Sequence, residues 1–132
     1  MTLNKLLLVI LLWAPSGLGN AAELIHYSDW SDKNKRDFWL SNAGMMLDWA
    51  TTRDMAGKWD TCQCKELNPI LGDYPSRSRV DNYMLANIAL NYLFAASIPV
   101  ESDRSNYLQL RAGLHAAAGL SNAIQFEARW HF

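Results

Sequence analysis

Three side chains in this sequence belong to the types that acid–base chemistry uses: Asp48, Glu66 and His115. Two carboxyls in different surroundings can divide the protonated and ionised roles, and an imidazole moves protons near neutral pH. Meeting in one water-accessible pocket, the three would make a general acid–base site or a proton relay, so they are the catalytic candidates. Each also has a plainer role. Asp48 can pair with Arg53 or Arg111, Glu66 can cap backbone amides in a turn, and His115 can be a hydrogen-bonded packing residue. Cys62-Gln-Cys64 is a single C-x-C with no second Cys or His pair at ligand spacing, which favours two reduced thiols over a metal centre or redox pair. No metal and no cofactor is expected. The sequence carries no Gly-x-Ser-x-Gly, no phosphate loop and no His-Glu-x-x-His.

Other polar residues recur at helical spacing. Arg111, His115, Ala118, Asn122 and Gln125 are separated by steps of four, three, four and three, which puts them on one stripe. Beside it, Ala112, Ala116, Gly119 and Ala123 form a stripe of small residues that permits close helix approach. Tyr83, Asn87 and Asn91 stack at intervals of four. Ser41, Asp48 and Thr52 share a face with Met45. The stripes predict an internal network of Asp48, Thr52, Asn87, Asn91, Arg111, His115 and Asn122, with Asn87 or Asn91 facing His115 and Asn122.

The elements that would position these groups are helices in a chain of 132 residues, which is one small domain. Charged residues make up 19 % of the chain and the net charge is −1, so nucleic acid, which needs a basic surface, is not an expected partner. Residues 1–21 have the layout of a secretory signal. Lys5 is followed by an apolar run from Leu6 to Ala14, a Pro15-Ser-Gly break, and Gly19 and Ala21 at the cleavage positions. An uncleaved anchor is the alternative. Residues 22–132 then form the single helical domain. Helices are predicted over about 35–56, 79–98 and 106–127, with Ser28 or Ser31 as a cap for the first. From Asn82 to Val100 there is no charged residue, which matches a bilayer crossing. The polar turn at 101–105 makes the last two helices an antiparallel hairpin. Arg129 and Trp130 near the end suit a headgroup layer. The fold class expected is therefore all-α, a small helical membrane bundle.

Between the first two helices lies Glu66-Leu-Asn-Pro-Ile-Leu-Gly-Asp-Tyr-Pro-Ser76. Pro69 biases Asn68 out of the helical region, and Gly72 and Pro75 are further turn signals. Ser78 and Asp81, three apart, fit a capping box for the next helix. Glu66, Asn68, Pro69, Gly72 and Pro75 thus define a specified corner.

The run Leu47-Asp48-Trp49-Ala50-Thr51-Thr52-Arg53, this corner, and Val80-Asp81-Asn82-Tyr83 together resemble a family of small bacterial and phage-borne membrane proteins. That family has an Asp-x-x-x-Thr-Arg helix end, a Glu-x-Asn-Pro-Ile-Leu-Gly corner and a helical hairpin. The resemblance covers about residues 45–126 and implies architecture and location, not a reaction; Thr61-Cys-Gln-Cys64 departs from the pattern.

The expected function is a structural or protein-interaction role for an integral protein of the bacterial inner membrane, without a reaction of its own. Its expected partners are membrane lipid and either a second copy or a larger membrane protein. Positive charges at Arg53, Lys58, Lys65, Arg77 and Arg79 place the corner on the cytoplasmic side. The competing classes are a membrane enzyme or proton-coupled carrier using Asp48, Glu66 and His115, a phage-type envelope factor acting in lysis or exclusion, and a soluble periplasmic helical module.

Overall fold

The computed structural model describes residues 24–62, 65–66 and 68–125. The signal segment 1–21, the side chain of Cys62, Cys64 and the terminal Arg129–Phe132 lie outside the described residues. Within them the chain is all-helical. A 3-10 turn at Tyr27–Asp29 precedes α1 (Asp32–Met55), α2 (Trp59–Cys62), α3 (Arg77–Ser97) and α4 (Glu101–Gln125).

Each long helix starts earlier than its periodicity suggests, and each for a local reason. α1 is capped by Ser31, whose Oγ accepts from Asn34 N at 3.3 Å, and Asp32 complements the helix N-terminus. α3 is capped by Ser76, which accepts from Arg79 N at 3.2 Å. The Ser78–Asp81 box is therefore not the cap, and Asp81 instead takes Trp49 Nε1 at 2.7 Å and Arg53 Nε at 2.9 Å. α4 absorbs the polar stretch 101–105, which is helix and not turn. Glu101 and Asp103 favour a first turn, while Arg104 and Ser105 find partners on α1.

α1 and α4 run parallel, because their contacts climb together: Asn34 with Arg104, Asp37 with Ser105, Asp48 with His115, Thr52 with Asn122. α3 runs antiparallel to both. The predicted α3–α4 hairpin is present, but α4 packs along far more of α1 than of α3. Its backbone comes close to that of α1 at two glycines. A Cβ on Gly44 would lie 2.7 Å from Ala112 O, and one on Gly119 would lie 2.9 Å from Asp48 N. The small-residue stripe of Ala112, Ala116 and Gly119 therefore lies against α1.

Small apolar clusters close the two ends of the bundle. At one, Trp30 packs with Ala95, Ala96 and Leu108 beside Phe38 and Tyr92. At the other, Leu71 joins Val80 and Met84 under Trp49 and Tyr83. Between them the buried face of α1 is largely polar: Asn34, Asp37, Ser41, Asp48, Thr51 and Thr52. Large apolar side chains point outward instead, among them Leu85, Leu90, Leu93 and Phe94 on α3. Among the described residues no helix is long and apolar enough to cross a membrane. The crossing expected at 82–100 falls short because Asn82, Asn87 and Asn91 dilute its apolar content.

The glycine contacts make opposite predictions at two positions. Gly44→Ala forces backbone from backbone and should destabilise by about 1–3 kcal/mol, the range for overpacking. Gly113 has open space around the added methyl, so Gly113→Ala should stabilise by about 0.5–1 kcal/mol through helix propensity. Chemical denaturation of the two variants measures both signs.

Candidate functional site

The residues with chemical potential lie in a polar seam between α1 and α4, extended at its middle by α3. It starts at Arg104, only 3 % exposed. Its Nε donates to Ala95 O at 3.0 Å, Nη1 to Asn34 Oδ1 at 3.1 Å and Nη2 to Ile98 O at 2.7 Å. The guanidinium also covers the Trp30 ring at 5.1 Å. Burial lowers the Arg104 pKa from its ordinary value, with the Glu101 charge opposing. The planar fork suits this place, since two of its acceptors are carbonyls at the C-terminal end of α3, Ala95 O, which also accepts from Ile98 N at 3.3 Å, and Ile98 O.

One turn further, Asp37 Oδ2 accepts from Ser105 Oγ at 2.6 Å, Lys33 Nζ at 2.9 Å and Gln109 Nε2 at 3.2 Å. Burial pushes this carboxyl up. The hydrogen bonds from Ser105, Lys33 and Gln109, with the Lys33 charge, outweigh that and hold it below its ordinary value. Next, Asn91 of α3 donates to Ser41 Oγ at 3.1 Å and to Asn42 Oδ1 at 3.5 Å. Arg111 then reaches Asn87 Oδ1 at 3.1 Å and Met45 Sδ at 3.4 Å. Arg111 Nε and Asn91 Oδ1 are buried without a partner among the described residues. The middle of the seam is thus its least satisfied part.

The last section holds Asp48 and His115. His115 Nδ1 lies 2.7 Å from Asp48 Oδ2, and both side chains are 12 % exposed. Thr52 Oγ1 donates to Asp48 Oδ1 at 3.2 Å, and Asn122 Nδ2 donates to Thr52 Oγ1 at 3.0 Å. The carboxylate fixes the imidazole in one orientation, the arrangement used to set a histidine tautomer. Among the described residues no three His, Cys, Asp or Glu side chains gather as they would around a metal ion.

The predicted members are therefore placed as follows. Asp48, Thr52, His115 and Asn122 form one cluster, and Arg111 meets Asn87 in another. Asp48 pairs with His115 and not with Arg53 or Arg111, because Arg53 sits at Asp81 and Arg111 turns to α3. Asn91 faces α1 and Asn87 faces Arg111, so neither contacts His115 or Asn122 through a hydrogen bond. Glu66 stands in the corner: its Oε1 accepts from Asn68 N at 2.8 Å and its own N donates to Asp73 O at 2.8 Å. Asn68 Oδ1 accepts from Ile70 N at 3.0 Å, and Gly72 takes a φ of +77°. Pro69 opens the turn, and Pro75 gives its carbonyl to Trp59 Nε1 at 2.8 Å.

Asn34, Asp37, Arg104, Ser105 and Gln109 are not among the candidates from sequence. One signal for them exists. Asn34 and Asp37 precede Ser41 by seven and four residues, in phase with the Asp48 face.

The chain is a small all-helical bundle in which the parallel pair α1 and α4 is joined by an internal polar seam and α3 lies antiparallel to both. Comparison with protein-family models, with curated proteins and with solved structures found no match.

The seam generates two predictions. Asp48→Ala strands a buried imidazole and should cost about 2–3 kcal/mol, while Asp48→Asn, which keeps a hydrogen-bonding side chain, should cost about 1 kcal/mol. Adding His115→Ala to Asp48→Ala should show a coupling of about 1–2 kcal/mol, and adding Arg111→Ala should show none. A double-mutant cycle by denaturation reads this directly.

For Asp37, the folded chain holds its proton less tightly than the unfolded chain does. Its stabilising contribution is full above the ordinary Asp value and is lost as pH falls through the lower folded value. Asp37→Asn should therefore flatten the stability profile below about pH 4 and lower the plateau above it. Thermal melts across an acid series measure this.

Proposed function

We propose that the protein serves a structural or protein-interaction role at a bacterial membrane, without a reaction of its own. One observation carries this: the outward face of α3 is apolar and uncharged. Leu85, Leu90, Leu93 and Phe94 are exposed on it, and no charged residue occurs between Asn82 and Val100. Leu110, Leu114, Leu120 and Ile124 add an exposed apolar row on α4. Ordinary surface helices of soluble proteins turn charged residues outward and apolar ones inward. Contiguous apolar surface of this kind marks protein or membrane contact.

The polar seam supports the same role. In an apolar medium, polar groups have to be satisfied within the protein, and here Asn, Ser, Thr, His and Asp side chains of facing helices bond to one another. Hydropathy averaged along a helix counts these inward residues equally with the outward ones, so it understates how apolar the exterior of α3 is. Contact with lipid through one face, with partner helices on the remainder, fits this distribution without requiring any single helix to cross.

A proton carrier is the second reading, and the 2.7 Å contact of Asp48 with His115 favours it. Glu66, the third group of that scheme, is engaged in the corner turn.

Fractionation tests the leading role. The full chain should stay with membranes through carbonate washing and be released by mild detergent. Leu90→Glu combined with Phe94→Glu, which leaves every seam contact in place, should move most of the protein into the wash. Recovery of the unaltered chain as a soluble monomer after carbonate overturns the membrane role.

A further inference from the structure

We propose that the cleft at the corner end of the bundle binds a phosphoammonium group, an ammonium and a phosphate joined by a short linker. The proposal rests on the membrane role above, because zwitterionic phospholipid headgroups present this chemistry at a membrane surface. Soluble phosphocholine carries the same group.

The cleft has a volume of about 520 Å³ and is lined by Ala56, Gly57, Trp59, Asp60 and Tyr74. Its two aromatic walls are set at a steep angle, with ring centroids 6.1 Å apart and planes at 72°. Trp59 is held in place by its indole N–H, which donates to Pro75 O at 2.8 Å. Tyr74 is 67 % exposed, and its hydroxyl has no hydrogen bond among the described residues. An aromatic ring kept this open contributes little to the core and leaves a π-face for a ligand. Ammonium groups bind such faces, and Trp is the strongest of the rings.

The charges around the rings divide into committed and free. Lys58 is paired with Asp54, Lys65 lies 4.0 Å from Asp73, Arg53 is paired with Asp81, and Arg79 donates to Ile70 O. Asp60 and Arg77 have no ion pair or hydrogen bond among the described residues. Asp60 lines the cleft beside Trp59 and supplies the negative charge that an ammonium needs. Arg77 supplies the opposite end. Its guanidinium lies against Gly57, where a Cβ would fall 2.1 Å from Nη2. Glycine therefore leaves the room in which this guanidinium sits, at the edge of the same cleft. A guanidinium offers a fork of donors that matches phosphate oxygens. Aromatic pair and carboxylate on one side, guanidinium on the other, are the complement of a zwitterion and not of a simple cation or anion. The cleft also lies by the start of α3, where the apolar face begins, at the level where Trp and Tyr meet headgroups.

The test follows the Trp59 indole N–H resonance of the full chain in a maltoside detergent during titration with phosphocholine, choline and inorganic phosphate. Phosphocholine should shift it saturably and more tightly than either fragment. Tyr74→Ala and Asp60→Asn should each weaken binding roughly three- to thirtyfold, and Arg77→Gln should reduce phosphocholine to the affinity of choline. All three positions are exposed, so circular dichroism should be unchanged.

Vesicles of phosphatidylcholine and of phosphatidylglycerol separate the two sources of the ligand. A Trp59 shift on phosphatidylcholine alone identifies the lipid headgroup. A shift with soluble phosphocholine, and no association with either vesicle, upholds the site while the membrane role fails. Association with both vesicles and an unmoved Trp59 upholds the membrane role and overturns the site. A saturable shift that is equal in all three variants overturns it as well.

Discussion

Short polar side chains can bond across two helices only if the backbones come close. Ser, Thr and Asn reach a few ångströms, and in this protein Asn122 meets Thr52 at 3.0 Å and Asp48 meets His115 at 2.7 Å. Such contacts depend on Gly44 lying against Ala112 and on Gly119 lying against the Leu47–Asp48 backbone. Larger residues at either glycine would part the helices and leave the seam groups buried without partners. An unpaired buried polar group costs about 1–3 kcal/mol, so loss of close approach is felt along the whole seam and not at one position.

The ends of the bundle are secured by different means. At the Trp30 end, Arg104 joins the last carbonyls of α3 to Asn34 of α1, and the indole of Trp30 packs beneath it. One side chain thereby ties the end of one helix to another. At the corner end the backbone itself is specified. Asn68 organises the turn through its side-chain and main-chain oxygens, Gly72 supplies the positive φ, and Leu71 is delivered into contact with Val80 and Met84. The corner thus returns the chain so that α3 descends beside α1, and Asp81 is placed to receive both Trp49 and Arg53.

The buried face of α1 and the outward face of α3 reverse the usual distribution for a water-soluble bundle, while Trp30, Leu71, Val80, Met84 and Leu108 form apolar clusters at its two ends. In this protein the two halves of that inversion are linked. α1 presents Asn34, Asp37, Ser41 and Asp48 to the interior, and the large residues Trp39, Leu40 and Met46 remain outside. The proposed membrane role and the proposed headgroup cleft both draw on this distribution, the first on the face of α3 and the second on the aromatic pair at its foot.

Periodicity and punctuation in the sequence determined that the chain is helical, roughly where three helices lie, and which residues share a stripe. Spacing of three and four is a local property of the backbone, so Arg111, His115 and Asn122 could be grouped without knowing what they face. The corner was legible for the same reason, since Asn-Pro and Gly restrict their own dihedral angles. Helix starts were less legible, because Ser76 and Ser78 are equally good caps by type and only the path after Pro75 chooses between them. Pairing across helices was decided by the tertiary structure alone. Asp48 has Arg53 nearby in sequence, yet its partner is His115, because α1 and α4 run parallel and Gly44 and Gly119 bring those two residues level. Asn34 and Arg104 are seventy residues apart, and no local preference of either one indicates the other. Their pairing arises from the order in which three helices stack, which the balance of all buried contacts sets and no short stretch of sequence encodes.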